Sequence, residues 1–142
     1  MSNKDYPSIT SSILFGFFIM LSLWIVIWID LRLNFDLKNF GILPRNLSGI
    51  KGVFFAPFLH LNLSHLINNS IPIFVLCSLL HYFYNSIFFR VLLFSTLLTG
   101  LGVWVFARPV YHIGASGIIY SLVGFIFLSG IIKKYPKLIA IS

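Results

Sequence analysis

Apolar runs long enough to cross a bilayer constrain this chain more than anything else in it. A helix rises about 1.5 Å per residue and a hydrocarbon core is about 30 Å thick, so roughly 20 mostly apolar residues suffice. Stretches at about residues 9–29, 61–82, 87–106 and 116–132 meet that length or come close to it. The first is too long for a removed leader and lacks a small-residue cleavage site, so it reads as a retained span. Only 9% of the 142 residues are charged and 58% are apolar, which excludes disordered tails and ordinary soluble enzymes. The net charge of +7 comes from cations scattered beside the apolar runs, as interfacial anchors are, and not from a phosphate-binding patch. The sequence therefore predicts an all-α membrane protein whose surroundings are the lipid bilayer, with no nucleic-acid partner.

Between the first two spans, residues 30–60 carry Asn34, Gly41, Pro44, Asn46, Gly49, Gly52 and Pro57, which interrupt helical periodicity. Leu33, Phe35, Phe40, Ile42, Leu43, Phe54 and Phe55 keep the same stretch too apolar for a free linker. A structured loop in or near the interface is expected. The third span reads as featureless inside, with Arg90 and Arg108 toward its ends. The fourth is followed by Lys133, Lys134 and Lys137, and then by Leu138 to Ser142, which begin like another apolar segment and stop. That ending leads us to expect a fragment of something longer. Counting basic residues for an inside amino terminus gives Lys4, Arg90, Lys133, Lys134 and Lys137 against Arg32, Lys38, Arg45, Lys51 and Arg108, so charge alone sets no orientation. Cys77 is the sole cysteine and lies within an apolar run, where it reads as a small buried hydrophobe.

The second span is unusual because its first half is polar, with Asn62, Ser64, His65, Asn68, Asn69 and Ser70 ahead of Pro72. Polar groups at membrane depth are costly unless they face protein or a water-filled cavity, so this half-helix marks a functional site. The acids Asp5, Asp30 and Asp36 all lie outside the spans, which excludes an intramembrane aspartyl pair. There is no glutamate, hence no H-E-x-x-H, and His60 and His65 lack a third strong ligand, so neither a metal nor another cofactor is implied. A serine nucleophile fits better. Gly114-Ala115-Ser116-Gly117 stands where the fourth span begins, so Ser116 would sit among unpaired backbone N–H groups at the positive end of the helix. Taken alone, Ser116 also fits a helix cap or a small packing residue. His65 and Asn69 are four residues apart and share a helical face, where they offer an imidazole and an amide to an oxyanion if the second and fourth spans meet.

In this order and spacing the residues resemble the rhomboid intramembrane serine proteases. Gly114-Ala115-Ser116-Gly117, followed by Tyr120, Ser121 and Gly124, is similar to the family's G-x-S-G nucleophile element at the start of its fourth transmembrane helix. His60-x4-His65-x3-Asn69 resembles the second-helix signature. Gly41 to Arg45 and Ala56 to His60 resemble the long first loop and its approach to that helix. The resemblance covers about residues 10–135. It implies a rhomboid-like helical bundle of six transmembrane helices, of which four are present, in a single domain over residues 1–142 that is incomplete at its carboxyl end. It further implies that Ser116 attacks the scissile carbonyl of a transmembrane protein substrate. His65, Asn69 and the Ser116 backbone N–H would bind the oxyanion, His60 would have a supporting role, and Tyr120 would pack beside the catalytic base. A multi-pass protein with its amino terminus inside, in a bacterial inner membrane, is expected.

The chain departs from the family in its general base, which the resemblance places on a sixth helix. No histidine follows His112, which lies in the connection ahead of the serine, and His81 is about 24 Å from His65 along the second span. The expectation is thus a rhomboid-type serine endopeptidase whose base lies outside these residues, with a further chain supplying the missing helices. The alternative is a catalytically inactive relative that binds transmembrane segments. A third reading makes the chain a helical subunit in which the polar half-helix only packs.

Overall fold

The computed structural model describes residues 6–133. Lys4, Asp5, Lys134, Lys137 and the terminal apolar stretch lie outside them. Five α-helices carry the architecture: α1 (Ile9–Leu33), the single-turn α2 (Gly52–Phe55), α3 (Leu63–Tyr84), α4 (Phe88–Phe106) and α5 (Ser116–Ile132). Short 3-10 turns at Leu37–Phe40, Leu47–Gly49, Ala56–Phe58 and Asn85–Ile87 join them, and the described residues contain no strand beyond one antiparallel bridge between Ile42 and His112. The result is a helical membrane-protein bundle.

Local chemistry sets where the helices begin and end. The Ser8 side chain accepts from the Ser11 N–H to start α1, and Asn34 closes that helix in the left-handed region at φ 49°. The first helix therefore runs one turn beyond the expected residue 29, since Asp30 and Arg32 do not stop a helix and a left-handed cap does. The second span begins at Leu63 rather than residue 61, because the Asn62 side chain accepts from the His65 N–H and caps the helix there. Pro72 stays within α3, which continues to Tyr84.

The contacts between helices define their directions. Ser12 Oγ and His81 Nδ1 are 3.0 Å apart, and Trp24 Nε1 donates to Ser70 Oγ at 3.0 Å, so α1 runs antiparallel to α3. Between those points the Gly16 backbone lies against the Phe74 carbonyl and Ser78, the close approach that a small residue permits in a membrane bundle. The chain reverses at Asn85–Ile87, and α4 returns to the end where α3 starts. There Gly100 packs on Val53 of α2. α5 then runs parallel to α3, with Tyr84 hydrogen-bonded to Ser129 near their carboxyl ends. Leu66, Ile73, Cys77 and Leu80 of α3 meet Leu122 and Ile126 of α5 in the core. Many outward side chains are large and apolar, Phe106 being 86% and Ile132 79% exposed, a surface suited to lipid.

Ile9–Leu33 and the 44-residue stretch Leu63–Phe106 are long and apolar enough to cross a membrane, the latter folded back on itself at Asn85–Ile87, while Ser116–Ile132 is 17 residues long. The connection after α1 is pinned to the far side of the sequence. Arg45, itself at φ 57°, donates its N–H to the Trp104 carbonyl and its Nη1 to the carbonyls of Val105 and Ala107 at 3.1 and 2.9 Å. Trp104 Nε1 returns a bond to the Asn46 carbonyl at 3.0 Å. The carboxyl-terminal carbonyls of α4, which no helical N–H can reach, are satisfied by this loop.

Candidate active site

The amino ends of α3 and α5 come together where the connection from α4 enters α5. Gly114 is the hinge of that meeting. Its φ of 114° is open to glycine and strained for other residues, and its N–H donates to the Ala56 carbonyl at 2.8 Å. A Cβ there would lie 2.6 Å from His65 Cε1, 2.7 Å from His65 Nε2 and 3.7 Å from Asn69 Nδ2. Only the missing side chain lets this backbone rest on the imidazole and the amide.

Asn69 is buried, and its Nδ2 donates one hydrogen to the His65 carbonyl at 3.1 Å, which leaves the second free. His65 is half-buried. Its ring lies edge-on to that of His60, with centroids 5.1 Å apart. His60 is 6% exposed and its Nδ1 lies 3.4 Å from the Phe58 carbonyl, while its Nε2 is sealed from solvent without a hydrogen-bond partner. Burial first, then the neighbouring His65, lowers the His60 pKa to about 4, with the Phe58 carbonyl opposing the shift.

Ser116 is the first residue of α5, and Ala115 is its cap position. The earliest intrahelical pair in α5 joins the Ile119 N–H to the Ala115 carbonyl at 3.0 Å. The N–H groups of Ser116, Gly117 and Ile118 are therefore free of helical acceptors and carry the positive end of the dipole. The Ser116 side chain is exposed and makes no hydrogen bond among the described residues. The backbone of Gly114 and Ala115 ties Ser116 to His65 and Asn69, and the hydroxyl itself opens to a cleft of about 200 Å³. Thr96, Thr99 and Gly100 of α4 line that cleft together with Ala56, Pro57 and Tyr120.

The cleft corrects the expectation that the third span is featureless. Ser95 is buried and accepts a hydrogen from Ser121 of α5 at 2.9 Å, Thr99 lies beside Gly117, and Thr96 reaches the cleft. Ser95, Thr96, Thr99 and Gly100 recur at one and four residues, a small and hydroxylated helical face that the sequence displayed.

The other histidines are placed differently. His112 pairs through its backbone with Ile42, its Nε2 donates to the Arg108 carbonyl at 3.0 Å, and it borders the same cleft as Ser116. His81 lies at the opposite end of the bundle, against Ser12 and Phe15. Tyr120 is 77% exposed at the cleft rim. Among the described residues no group of three His, Cys, Asp or Glu side chains is arranged to hold a metal.

Comparison with known proteins adds a family to this geometry. The family model described as Rhomboid domain matches residues 48–140. An uncharacterized protein of Mycobacterium tuberculosis is 36% identical over 118 residues, a match covering 79% of this chain and 49% of that protein. A relative from Mycobacterium bovis matches to the same extent, and one from Mycobacterium leprae is 32% identical over 121 residues, covering 81% of this chain and 48% of its own length. The chain spans about half the length of these curated relatives. No solved structure matches it.

Proposed function

The chain belongs to the rhomboid family, and on that premise we propose that it carries the nucleophile and the oxyanion site of an intramembrane serine endopeptidase acting on transmembrane protein substrates. The observation that carries this reading is the Gly114 backbone lying on His65 and Asn69, two residues before a serine at a helix amino terminus. In this scheme Ser116 Oγ attacks the scissile carbonyl. The carbonyl oxygen gains negative charge, and the Ser116 N–H, the free hydrogen of Asn69 Nδ2 and the His65 ring donate to it. Such donors, fixed before the charge develops, commonly contribute on the order of 100-fold or more in rate each. The Oγ proton passes to a base, and we assign that base to the part of the relatives that this chain does not span.

The membrane setting follows the same proposal. Four passes, with the amino terminus inside, bring the amino ends of α3 and α5 to the outer side of a bacterial inner membrane. Segments from the rest of the protein, or from another chain, would cover the face of α5 that bears Ser116. A second reading, an inactive relative that holds transmembrane segments without cutting them, is favoured by the histidines in view. His112 Nε2 is engaged by a carbonyl and His81 is at the far end.

Labelling of Ser116 by a fluorophosphonate in membranes separates the two. The 142-residue chain, a longer product of the same locus and the Ser116→Ala variant of each are compared. Labelling of the longer product that vanishes with Ser116→Ala supports the endopeptidase. Its absence from both lengths overturns that reading and leaves the binding protein, whose capture of transmembrane segments Ser116→Ala does not change.

A further inference from the structure

Two cations at the chain-reversal end of the bundle take no part in the proposed reaction, and each borders an apolar groove. Arg90, in the first turn of α4, is exposed and folds back so that its Nη2 donates to the Ser86 carbonyl at 3.3 Å. That bond leaves most of the guanidinium hydrogens available. Lys133, just past the end of α5, is also exposed, and its Nζ lies 4.2 Å from the centre of the Tyr84 ring. A groove of about 370 Å³ beside Arg90 runs between α4 and α5 along Val91 and Phe94. A second, of about 340 Å³, lies beside Lys133 along Tyr84 and Leu128. Ile87 and Phe125 line both, so the grooves adjoin and the two cations stand on either side of a shared apolar wall.

The acids among the described residues, Asp30 and Asp36, lie in the last turn of α1 and just beyond it, at the opposite end of the bundle, where Asp36 pairs with Lys38. No carboxylate among the described residues therefore neutralises Arg90 or Lys133. Two cations beside two adjoining apolar grooves complement a molecule with one phosphate and two hydrocarbon tails. We propose that Arg90 and Lys133 hold the phosphate of an anionic phospholipid whose acyl chains occupy the grooves on either side of Ile87 and Phe125. The guanidinium can donate to two phosphate oxygens at once, and the ammonium adds a point charge. A zwitterionic headgroup brings an ammonium of its own against both cations, so a lipid with net negative charge is preferred. A phosphate without tails would leave the apolar walls uncovered, which assigns the site to a lipid and not to a soluble phosphate. The inference is independent of the reaction proposed at Ser116.

Photolabelling of the 142-residue chain tests it, in phosphatidylcholine vesicles doped with phosphatidylglycerol that carries a photoactivatable group on an acyl chain. At sub-saturating probe, labels should concentrate on the walls of the two grooves, Ile87, Phe94, Phe125 and Leu128 among them. Unlabelled phosphatidylglycerol should compete, and phosphatidylcholine or glycerol phosphate should not. A cation near a headgroup contributes about 1 kcal/mol, so Arg90→Gln and Lys133→Gln should each lower labelling about fivefold and the pair about 25-fold. Arg90→Lys should retain most of it, and Arg32→Gln, at the other end, all of it. Both cations are exposed, and circular dichroism checks that each variant is folded; the competition pattern of the wild type decides for any variant that is not. Equal labelling by a phosphatidylcholine probe, labels spread evenly over all helices, or full labelling of the folded double variant overturns the proposal. So does loss of the labels in a longer product of the locus, which would mean that the rest of the protein fills the grooves.

Discussion

The two ends of the bundle bury polar side chains on opposite terms. At the end near the chain reversal, Ser12 is bonded to His81 and Tyr84 to Ser129, and the His81 ring stacks on Phe15 at 4.5 Å between centroids. Each polar group there has a partner within the bundle, and Phe88, 1% exposed, packs edge-on against Phe15 and His81. At the end where α5 begins, His60 Nε2 is unpaired, Asn69 keeps a free hydrogen, the Ser116 hydroxyl is open and Gly114 holds a backbone angle that other residues resist. Polar residues inside a membrane bundle are therefore not one category. Those with partners fasten helices together, and those left without partners gather where the reaction is proposed to take place.

Two substitutions press on that contrast from either side. Phe88→Ala should have the largest effect on stability, about 3 kcal/mol, because it removes a ring packed on Phe15 and His81 and leaves a cavity that the bundle cannot fully close. Reversible unfolding in mixed micelles measures it, and the ring NMR signals of His65, at the other end of the bundle, should be unaltered in the folded fraction. A changed pattern would show that the ends are coupled. Gly114→Ala should cost less, about 2 kcal/mol from the positive φ and the crowding of the new Cβ on His65, yet it should displace the His65 ring. Stability loss without a change in the His65 signals would show that Gly114 serves the turn alone.

How far the molecule could be read from its sequence follows the same division. The helical bundle was legible because long apolar runs admit little else in a bilayer, and the polar first half of α3 stood out against that background. The spacing of His65 and Asn69 placed both on one face, and the structure brings both to Gly114. What lay beyond reach were contacts between residues distant in sequence. Nothing local to Arg45 says that it bonds carbonyls about 60 positions away, so the anchoring of the first loop to α4 was invisible. The cleft face of α4 was visible as a pattern of small and hydroxylated residues but carried no partner until α5 was seen against it. Helix ends shifted for local reasons, the left-handed cap at Asn34 and the side-chain cap at Asn62, which composition does not register.

The smallest expected effect isolates the unpaired polar group itself. His60 has its pKa lowered from 6.5 to about 4 by burial and by His65, so the unfolded chain takes up this proton more readily than the folded one. Its contribution to stability is then complete above pH 6.5, is lost progressively as pH falls toward 4, and changes little below that. The whole step should amount to about 2 kcal/mol once solvent reaching the ring is allowed for. His60→Phe has nothing to titrate at this position and should lack that part of the slope, so the two stability curves should diverge between pH 6.5 and 4 and run parallel outside it. Tyr84→Phe, which removes the bond to Ser129 at the opposite end and touches no histidine, should lower stability without changing the shape of the curve in that window. Parallel curves for wild type and His60→Phe throughout would mean that the buried imidazole finds a partner on protonation. It would then belong with the fastened polar groups of the other end and not with the open ones around Ser116.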